Sequence, residues 1–202
     1  MTDHTIETSV DVSEEKIHWK QDISYGDYLD LNQILSAQNL RSDSHDEMMF
    51  IIIHQASELW MKLCIHELGE AMNKVKNDEI GPAMKMIARI ARIQEQLTQS
   101  WNILSTMTPK DYIGFRDSLG QSSGFQSYQY RIMEFALGNK NAAMIKAHKE
   151  HPERYQAVKG ALNAPSLYDL TLQLLARRGF SIPKSHLSRD WSEPYQANDD
   201  VE

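Results

Sequence analysis

The chain has 202 residues, 41% of them hydrophobic, which suffices for one sizeable domain with its own core. Lys and Arg number 21 against 28 Asp and Glu, and the net charge of −7 argues against nucleic acid or an anionic membrane as the main partner. Cys64 is the only cysteine, so no internal disulfide can form and the cytoplasm is the expected compartment. The N-terminus lacks the apolar segment of a signal peptide, and the longest aliphatic run, 48–53, is too short to cross a bilayer.

The N-terminal part of the sequence predicts an arm followed by a short helix. Residues 1–20 are polar and show no period, which favours a flexible arm. Ser24, with Asp27 three residues later, forms the pattern of a capping box and predicts a helix that carries apolar residues as far as Leu35. Tyr25 and Tyr28 on this helix either anchor the arm on the core or line a pocket, and composition alone favours the anchoring role.

The stretch 48–68, MMFIIIHQASELWMKLCIHEL, predicts a long central helix that runs to about Asn77. His54 lies within its apolar stripe, so its ring is either tied to another helix or faces a pocket. For a lone histidine, a satisfied place in the core is the commoner outcome. The residues that share this buried stripe are Phe50, Ile53, His54, Ser57, Met61, Cys64, Ile65 and Leu68.

A second long helix is predicted over 84–106, because Gly81 and Pro82 end one helix and begin the next. The short connection makes the two long helices antiparallel neighbours. Shorter helices are predicted from Thr108 to Leu119 and over 125–137, 142–149, 152–162 and 166–178, with a sharp Gly/Ser loop at 120–124.

No stretch alternates as a strand does, so the expected fold class is all-α, a bundle of long antiparallel helices with short N-terminal and C-terminal helices. The predicted domain covers 21–182, and the polar segment 183–202 follows it.

Two groups of polar residues could form a binding site. Arg116 precedes the Gly/Ser loop, where a guanidinium, a helix N-terminus and the hydroxyls of Ser122 and Ser123 could clamp a carboxylate or phosphate. The alternative is that Arg116 pairs with Asp117, Glu134 or the end of a helix.

A metal site is the other alternative, because His54 and Glu58 lie four residues apart on the central helix. A salt bridge from Glu58 to Lys62 is the simpler interpretation, and no second pair of histidine and carboxylate completes a two-metal cage. Cys64 has apolar neighbours on the helix, which indicates packing rather than nucleophilic chemistry.

Three motifs in order, FIIIHQASELWMKL, DYIGFRDSLGQSSGFQS and EFALGNKN, resemble the tryptophan 2,3-dioxygenase family. The resemblance extends from about Tyr25 to Trp191. It implies an all-helical, haem b-dependent enzyme, usually a homotetramer, that uses O2 to open the indole ring of L-tryptophan to N-formylkynurenine in the kynurenine pathway.

The resemblance also implies roles for individual residues. His54 matches the histidine that accepts a hydrogen bond from the indole N–H, and Arg116 with Tyr112 matches the end that holds the substrate carboxylate. The stretch that contacts the indole in the family is matched by Phe50, Ile51, Ile52 and Ile53, and the loop near haem and substrate is matched by Ser123 and Gly124. The N-terminal helix that closes the pocket of a neighbouring subunit is matched by Tyr25, Tyr28 and Leu29.

One departure concerns the haem ligand, since the family pattern puts the proximal histidine beyond Glu202. His148, His151 and His186 match no such motif. The sequence is therefore expected to be a piece of a complete dioxygenase or a shortened form without normal haem ligation. In the second case, the expected function is a haemless protein that binds tryptophan or an indole, or serves in assembly.

Overall fold

The computed structural model describes residues 23–195, and within them the regular structure consists of α-helices and short 3-10 helices without a strand. The all-α prediction is confirmed. Contacts divide the chain into two units, Met1–Asn39 and Leu40–Glu202. The arm predicted at residues 1–20 lies outside the described residues, as does the end of the C-terminal segment, 196–202.

The first unit contains helices α1 (Tyr25–Tyr28) and α2 (Leu31–Leu35). The capping box is confirmed, because the Ser24 hydroxyl accepts from the Asp27 amide while the Asp27 carboxylate accepts from the Ser24 amide. The prediction of one helix as far as Leu35 was wrong. Asp30 adopts a left-handed conformation with φ 51°, which interrupts the helix after its first turn.

The second unit is built on α3 (Asp46–Lys76) and α4 (Ile80–Leu104), which confirm the two predicted long helices. They are antiparallel, since Arg89 of α4 pairs with Glu67 in the middle of α3, while Thr106 beyond α4 reaches Met49 near the start of α3. The remaining helices are α5 (Pro109–Arg116), α6 (Tyr128–Leu137), α7 (Pro152–Asn163), α8 (Leu167–Arg177) and α9 (Lys184–Leu187), with 3-10 helices at Asp117–Leu119, Gly124–Gln126 and Ala142–His148.

The core lies along the C-terminal half of α3. Cys64 and Leu68 are 0% and 1% exposed, and they pack with Ile90 and Ile93 of α4 and with Met133 of α6. Burial raises the pKa of the Cys64 thiol to about 11, so this cysteine is an inert packing residue, as predicted.

The C-terminal segment packs on the rest of the second unit through buried polar contacts. The buried Asp169 carboxylate caps α8 by accepting from the amide and hydroxyl of Ser166, and it also accepts from Arg189 Nε at 2.8 Å. The Tyr168 and Tyr195 rings lie 4.5 Å apart. The polar stretch after Pro183 therefore contacts the domain as far as residue 195.

Within the described residues, α3 alone is long and apolar enough to cross a bilayer by length and composition. Helices in the cores of water-soluble proteins meet the same criterion. The apolar character therefore extends over this helix and is not confined to the aliphatic run 48–53. In the structure α3 packs against α4, α6 and α8.

Candidate ligand-binding site

Two cavities lie beside the N-terminal half of α3. The first, which we call the apolar cavity, has a volume of about 440 Å³ and lies between α3, the end of α4 and the start of α6. The second, which we call the loop cavity, measures about 560 Å³ and lies between α3 and the Gly/Ser loop. Both volumes are in the range of small-molecule sites. The residues that line both cavities are His54, Glu58, Ser123, Gly124 and Ser127.

His54 has a defined tautomer. Its Nδ1 lies 2.7 Å from the carbonyl oxygen of Phe50, one turn earlier in the same helix. A carbonyl oxygen can only accept, so Nδ1 carries a proton, and in the neutral form of the ring Nε2 is the acceptor. The tie is thus to its own helix rather than to another, and the half-buried ring also lines both cavities. The site therefore contains an oriented hydrogen-bond acceptor.

An aromatic cluster joins α3 to α5 next to this histidine. The Phe50 ring lies 4.1 Å from His54, 6.2 Å from Tyr112 and 5.4 Å from Phe115, measured between ring centroids. Phe115 is 1% exposed and meets Tyr112 edge to face at 5.5 Å. Such pairs fix the rings relative to one another. The cluster places Tyr112 beside Phe50 although 62 positions separate them in the sequence.

Arg116 follows Tyr112 by one turn and is the last residue of α5. Its side chain is exposed and donates from a terminal nitrogen to the carbonyl of Gly120 at 3.1 Å. The predicted alternative partners Asp117 and Glu134 do not pair with it among the described residues; Gly120 ends the 3-10 helix Asp117–Leu119, so the contact is of the predicted helix-end kind. Because the residue is exposed, the remaining guanidinium N–H groups can donate to an anion.

The Gly/Ser loop differs from the predicted anion clamp. Ser122 donates its hydroxyl proton to the carbonyl of Leu119 at 2.7 Å, so it is not a free donor. Ser123 caps the short 3-10 helix Gly124–Gln126 rather than a full α-helix, and its oxygen accepts from the Phe125 amide. Ser123 and Gly124 of the loop thus line both cavities, while the loop presents few backbone N–H groups that could bind an anion.

Glu58 is the polar residue whose role the sequence analysis misjudged. The expected salt bridge to Lys62 does not form in the described structure. Gln129 of α6 instead donates to the Glu58 carboxylate at 2.7 Å and to its backbone carbonyl at 2.9 Å. The reason is tertiary, since α6 packs against the side of α3 that carries Glu58 and brings a two-proton donor into reach.

Arg131 and Trp101 also line the apolar cavity, and the sequence analysis named neither as a site residue. The Arg131 side chain is buried, pairs with Glu134 on α6 and lies over the Tyr130 ring at 4.8 Å. Its Nε is buried without a hydrogen-bond partner. A charged side chain at a buried helical position was the available signal, because arginine is almost never buried without a polar reason.

Comparison with known proteins identifies the group to which this chain is related. The family model for tryptophan 2,3-dioxygenase matches residues 8–164. The chain belongs to the tryptophan 2,3-dioxygenase family. It is 53% identical over 190 residues to the tryptophan 2,3-dioxygenase of Shewanella woodyi, which covers 93% of this chain and 66% of that protein.

Two further relatives show the same partial coverage. Identity to the tryptophan 2,3-dioxygenase of Burkholderia multivorans is 55% over 187 residues, or 93% of this chain and 60% of that protein. Identity to the Bacillus cereus tryptophan 2,3-dioxygenase is 52% over 193 residues, or 95% of this chain and 69% of that protein. The chain thus spans three-fifths to somewhat over two-thirds of the length of these tryptophan 2,3-dioxygenases.

Six of the twelve site residues that the family resemblance implies line one or both cavities, and Arg116 lines neither. Phe50 and Ile51 line the loop cavity, Ile53 the apolar cavity, and Tyr112 reaches them through the aromatic cluster. Ile52 is 48% exposed and lines neither cavity, because it points to the opposite side of α3. Tyr25, Tyr28 and Leu29 belong to the first unit, where Tyr25 and Tyr28 are exposed.

A metal site built from protein side chains was weighed as a further alternative. Across residues 23–195, no three His, Cys, Asp or Glu side chains cluster in a way that could hold a metal ion.

Proposed function

We propose that this chain provides the substrate-binding part of a haem-dependent dioxygenase that converts L-tryptophan and O2 to N-formylkynurenine. Membership of the tryptophan 2,3-dioxygenase family supports the proposal. The observation that carries it is the orientation of His54, whose acceptor nitrogen is set by the bond from Nδ1 to Phe50 at the wall shared by both cavities. An indole has one N–H donor, and such an acceptor can orient it.

In this proposal His54 is the catalytic-site residue that fixes the indole ring. In its neutral form it accepts from the indole N–H at Nε2 and presents one edge of the indole ring to the reacting centre. The Phe50 ring lies against the imidazole with its plane tilted by 36° and limits ring rotation, so the acceptor keeps its direction. Ile51 and Ile53 supply apolar walls on either side. Orientation of this kind contributes to catalysis by removing unproductive poses.

Arg116 and Tyr112 form the end that selects an amino acid over a simple amine. The guanidinium can grip a carboxylate with two parallel N–H donors, and the Tyr112 ring is held beside the indole-contacting Phe50. Among residues 23–195, Arg116 bonds to the Gly120 carbonyl alone, so a carboxylate needs to displace one neutral contact. Ser123 and Gly124 lie in the walls of both cavities.

The apolar cavity fits a haem by the chemistry of its lining. A haem is a large apolar plate with two carboxylates, and the lining of this cavity combines aromatic and aliphatic side chains with the cationic side chain of Arg131. When bound, haem iron supplies the activation of O2. Residues that would hold the plate and one carboxylate are Trp101, Leu97, Leu104, Phe125 and Arg131. The family resemblance gives the iron ligand no position in this chain.

The same proposal includes a cytoplasmic homotetramer in which Tyr25, Tyr28 and Leu29 close the cavity of a neighbouring subunit. Support comes from the tyrosines themselves, which are 77% and 78% exposed on the short helix α1. Large aromatic rings exposed on a four-residue helix are better explained by a partner surface than by packing within that unit.

The first experiment is a visible spectrum of the purified protein with haemin added, followed by reduction and titration with L-tryptophan. We expect a Soret band that shifts on tryptophan addition. A protein that binds tryptophan without any specific haem spectrum would instead support the alternative of a haemless tryptophan-binding or assembly protein. A protein that binds neither haem nor tryptophan would contradict both functions.

The carboxylate assignment is tested with two variants and one substrate analogue. Arg116→Ala is expected to weaken L-tryptophan binding about 10- to 100-fold, the value of a hydrogen-bonded charge pair, and to leave tryptamine binding unchanged because tryptamine lacks the carboxylate. His54→Ala should weaken both ligands. Arg92→Ala is the matched control, since Arg92 is exposed and pairs with Glu95 within α4. Equal loss of both ligands in Arg116→Ala would refute the assignment.

A further inference from the structure

Arg154 is a cationic side chain at the loop cavity that the proposed function does not use. It lies in the first turn of α7 and is exposed, and it lines the loop cavity together with residues of α3 and of the Gly/Ser loop. Arg116, which the family resemblance implies for the substrate carboxylate, lines neither cavity. The guanidinium that the structure places on the lining of the loop cavity is therefore that of Arg154.

Packing between α6 and α7 determines where Arg154 lies. Val158, one turn after Arg154, is fully buried in a core cluster with Phe135 and Leu162, and Tyr128 packs against the same cluster. The Arg154 guanidinium lies over the Tyr128 ring, 5.5 Å from its centroid, a distance at which a cation is attracted to the ring face. The tyrosine thus holds the arginine beside the cavity, and a guanidinium placed over a ring keeps its in-plane N–H donors available.

The loop cavity is lined by two opposite charges without an ionic partner, Arg154 and Glu58. Among residues 23–195, Arg154 forms no salt bridge or hydrogen bond, so its N–H donors are available. Glu58 accepts from the neutral amide of Gln129 and pairs with no cation in the same part of the chain. A cavity lined by one uncompensated cation and one uncompensated carboxylate is complementary to a ligand that carries both charges.

We propose that the loop cavity recognises the zwitterionic head of an α-amino acid, with Arg154 donating to its carboxylate and Glu58 accepting from its ammonium. The identity of that amino acid as L-tryptophan rests on the proposed function. A guanidinium offers two parallel donors to a carboxylate, and an ionised carboxylate accepts from the N–H groups of an ammonium. His54 lies one turn before Glu58, about 5 Å along the axis of α3, so an amino acid with an indole side chain can reach both residues. Arg154 adds a second guanidinium to the carboxylate end described for Arg116.

Three indole ligands separate the two charge contacts. L-tryptophan carries both charges, tryptamine lacks the carboxylate, and indole-3-propionate lacks the ammonium. Isothermal titration calorimetry measures their binding to the full chain, alone and with haemin added. Arg154→Met should weaken L-tryptophan and indole-3-propionate about tenfold, because one partly screened charge contact is lost, and should leave tryptamine unchanged.

Glu58→Gln should give the opposite selectivity. It should weaken L-tryptophan and tryptamine about tenfold without weakening indole-3-propionate, while the glutamine keeps an oxygen that accepts from Gln129. Arg154→Lys should retain part of the wild-type affinity for L-tryptophan, because lysine carries the charge without the planar fork. Lys159→Met is the matched control, since Lys159 is exposed on α7 and lines neither cavity, and it should bind all three ligands as the wild type does.

The selectivity pattern decides the inference. Equal losses for all three ligands in Arg154→Met or in Glu58→Gln would overturn it, and so would an unchanged affinity for L-tryptophan in both variants. Urea unfolding of each variant identifies a protein that is merely destabilised. If Arg154→Met does not fold, Arg154→Lys and Glu58→Gln carry the comparison.

The same measurements separate this inference from the proposed function. If the ligands bind with the expected pattern but haemin gives no specific spectrum, the dioxygenase proposal fails and the recognition of the two charges stands. A Soret band that shifts with L-tryptophan, together with wild-type affinity in both variants, supports the dioxygenase and refutes the charge recognition. A wild-type protein that binds none of the three ligands also refutes the charge recognition, and the haem spectrum then decides the haem proposal separately.

Discussion

The two halves of α3 have similar apolar sequences and different surroundings. From Met61 to Val75 the stripe is closed, with Cys64, Leu68 and Ala71 at most 1% exposed between α4, α6 and α8. From Phe50 to Ser57 the same stripe is half-buried and borders two cavities. Arg177 of α8 even donates to the Val75 carbonyl at the closed end, where it holds the end of the helix in place.

The difference shows that one helical pattern can serve packing at one end and binding at the other. The closed half is stabilised by dispersion contacts and by burial of apolar surface, and both depend on how completely side chains fill the interior. The cavity half is held in addition by polar contacts, namely Glu47 with the preceding loop, His54 with Phe50 and Glu58 with Gln129. Substitutions in the two halves should therefore act through different physical terms.

The largest expected effect comes from truncation in the closed half. Leu68→Ala should lower the free energy of unfolding by about 2–5 kcal/mol, because it leaves a cavity in a region with no space to collapse. Ile53→Ala, the matched change beside the apolar cavity, should cost only about 1 kcal/mol since much of its surface is already open. Urea unfolding followed by circular dichroism measures both. Equal losses would show that the two halves do not differ in packing.

The next effect concerns Glu47, which anchors the first turn of the cavity half. Its carboxylate accepts from the Ser42 hydroxyl at 2.6 Å and from the amides of Arg41 and Ser42, and these bonds lower the pKa of Glu47 below the ordinary 4.5. The folded state thus prefers the ionised form. Its stabilising contribution is complete above pH 4.5 and is lost as the pH falls through the lowered pKa.

We expect Glu47→Gln to lower the free energy of unfolding at neutral pH. Below pH 4.5 the free energy of unfolding of this variant should fall less steeply with pH than that of the wild type. The measurement is the urea midpoint at several values between neutral and acid pH, with wild type and Glu70→Gln as controls, since Glu70 is exposed further along α3. If the urea midpoint falls with acid pH equally in Glu47→Gln and in the wild type, another carboxylate controls that fall.

The smallest expected effect is that of Gln129→Leu. The change removes the two donors that hold Glu58, and the free energy of unfolding should fall by about 1 kcal/mol because Glu58 can turn to water in the open cavities. Binding of tryptophan should weaken more than stability does, since Glu58 lines both cavities next to His54. Unchanged tryptophan affinity would show that the position of Glu58 does not affect the ligand.

Sequence reasoning anticipated the helices well and the polar partners poorly. Caps at Ser24 and Thr108 and the long period of α3 are local features, and a helix end needs only neighbouring residues to form. The break at Asp30 was missed because a left-handed aspartate carries no distinctive local pattern. Pairing of Glu58 with Gln129 was missed because 71 positions separate them.

The sequence by itself determined the class of fold, the extent of the long helices and the family, because periodicity, capping and motif order are properties of the chain in its linear order. Only the tertiary structure decided that His54 borders both cavities, that Glu58 pairs with Gln129 and that Arg131 lies at a cavity wall. These depend on which side chains distant helices bring within hydrogen-bonding range, and a distance of one ångström decides whether a bond forms.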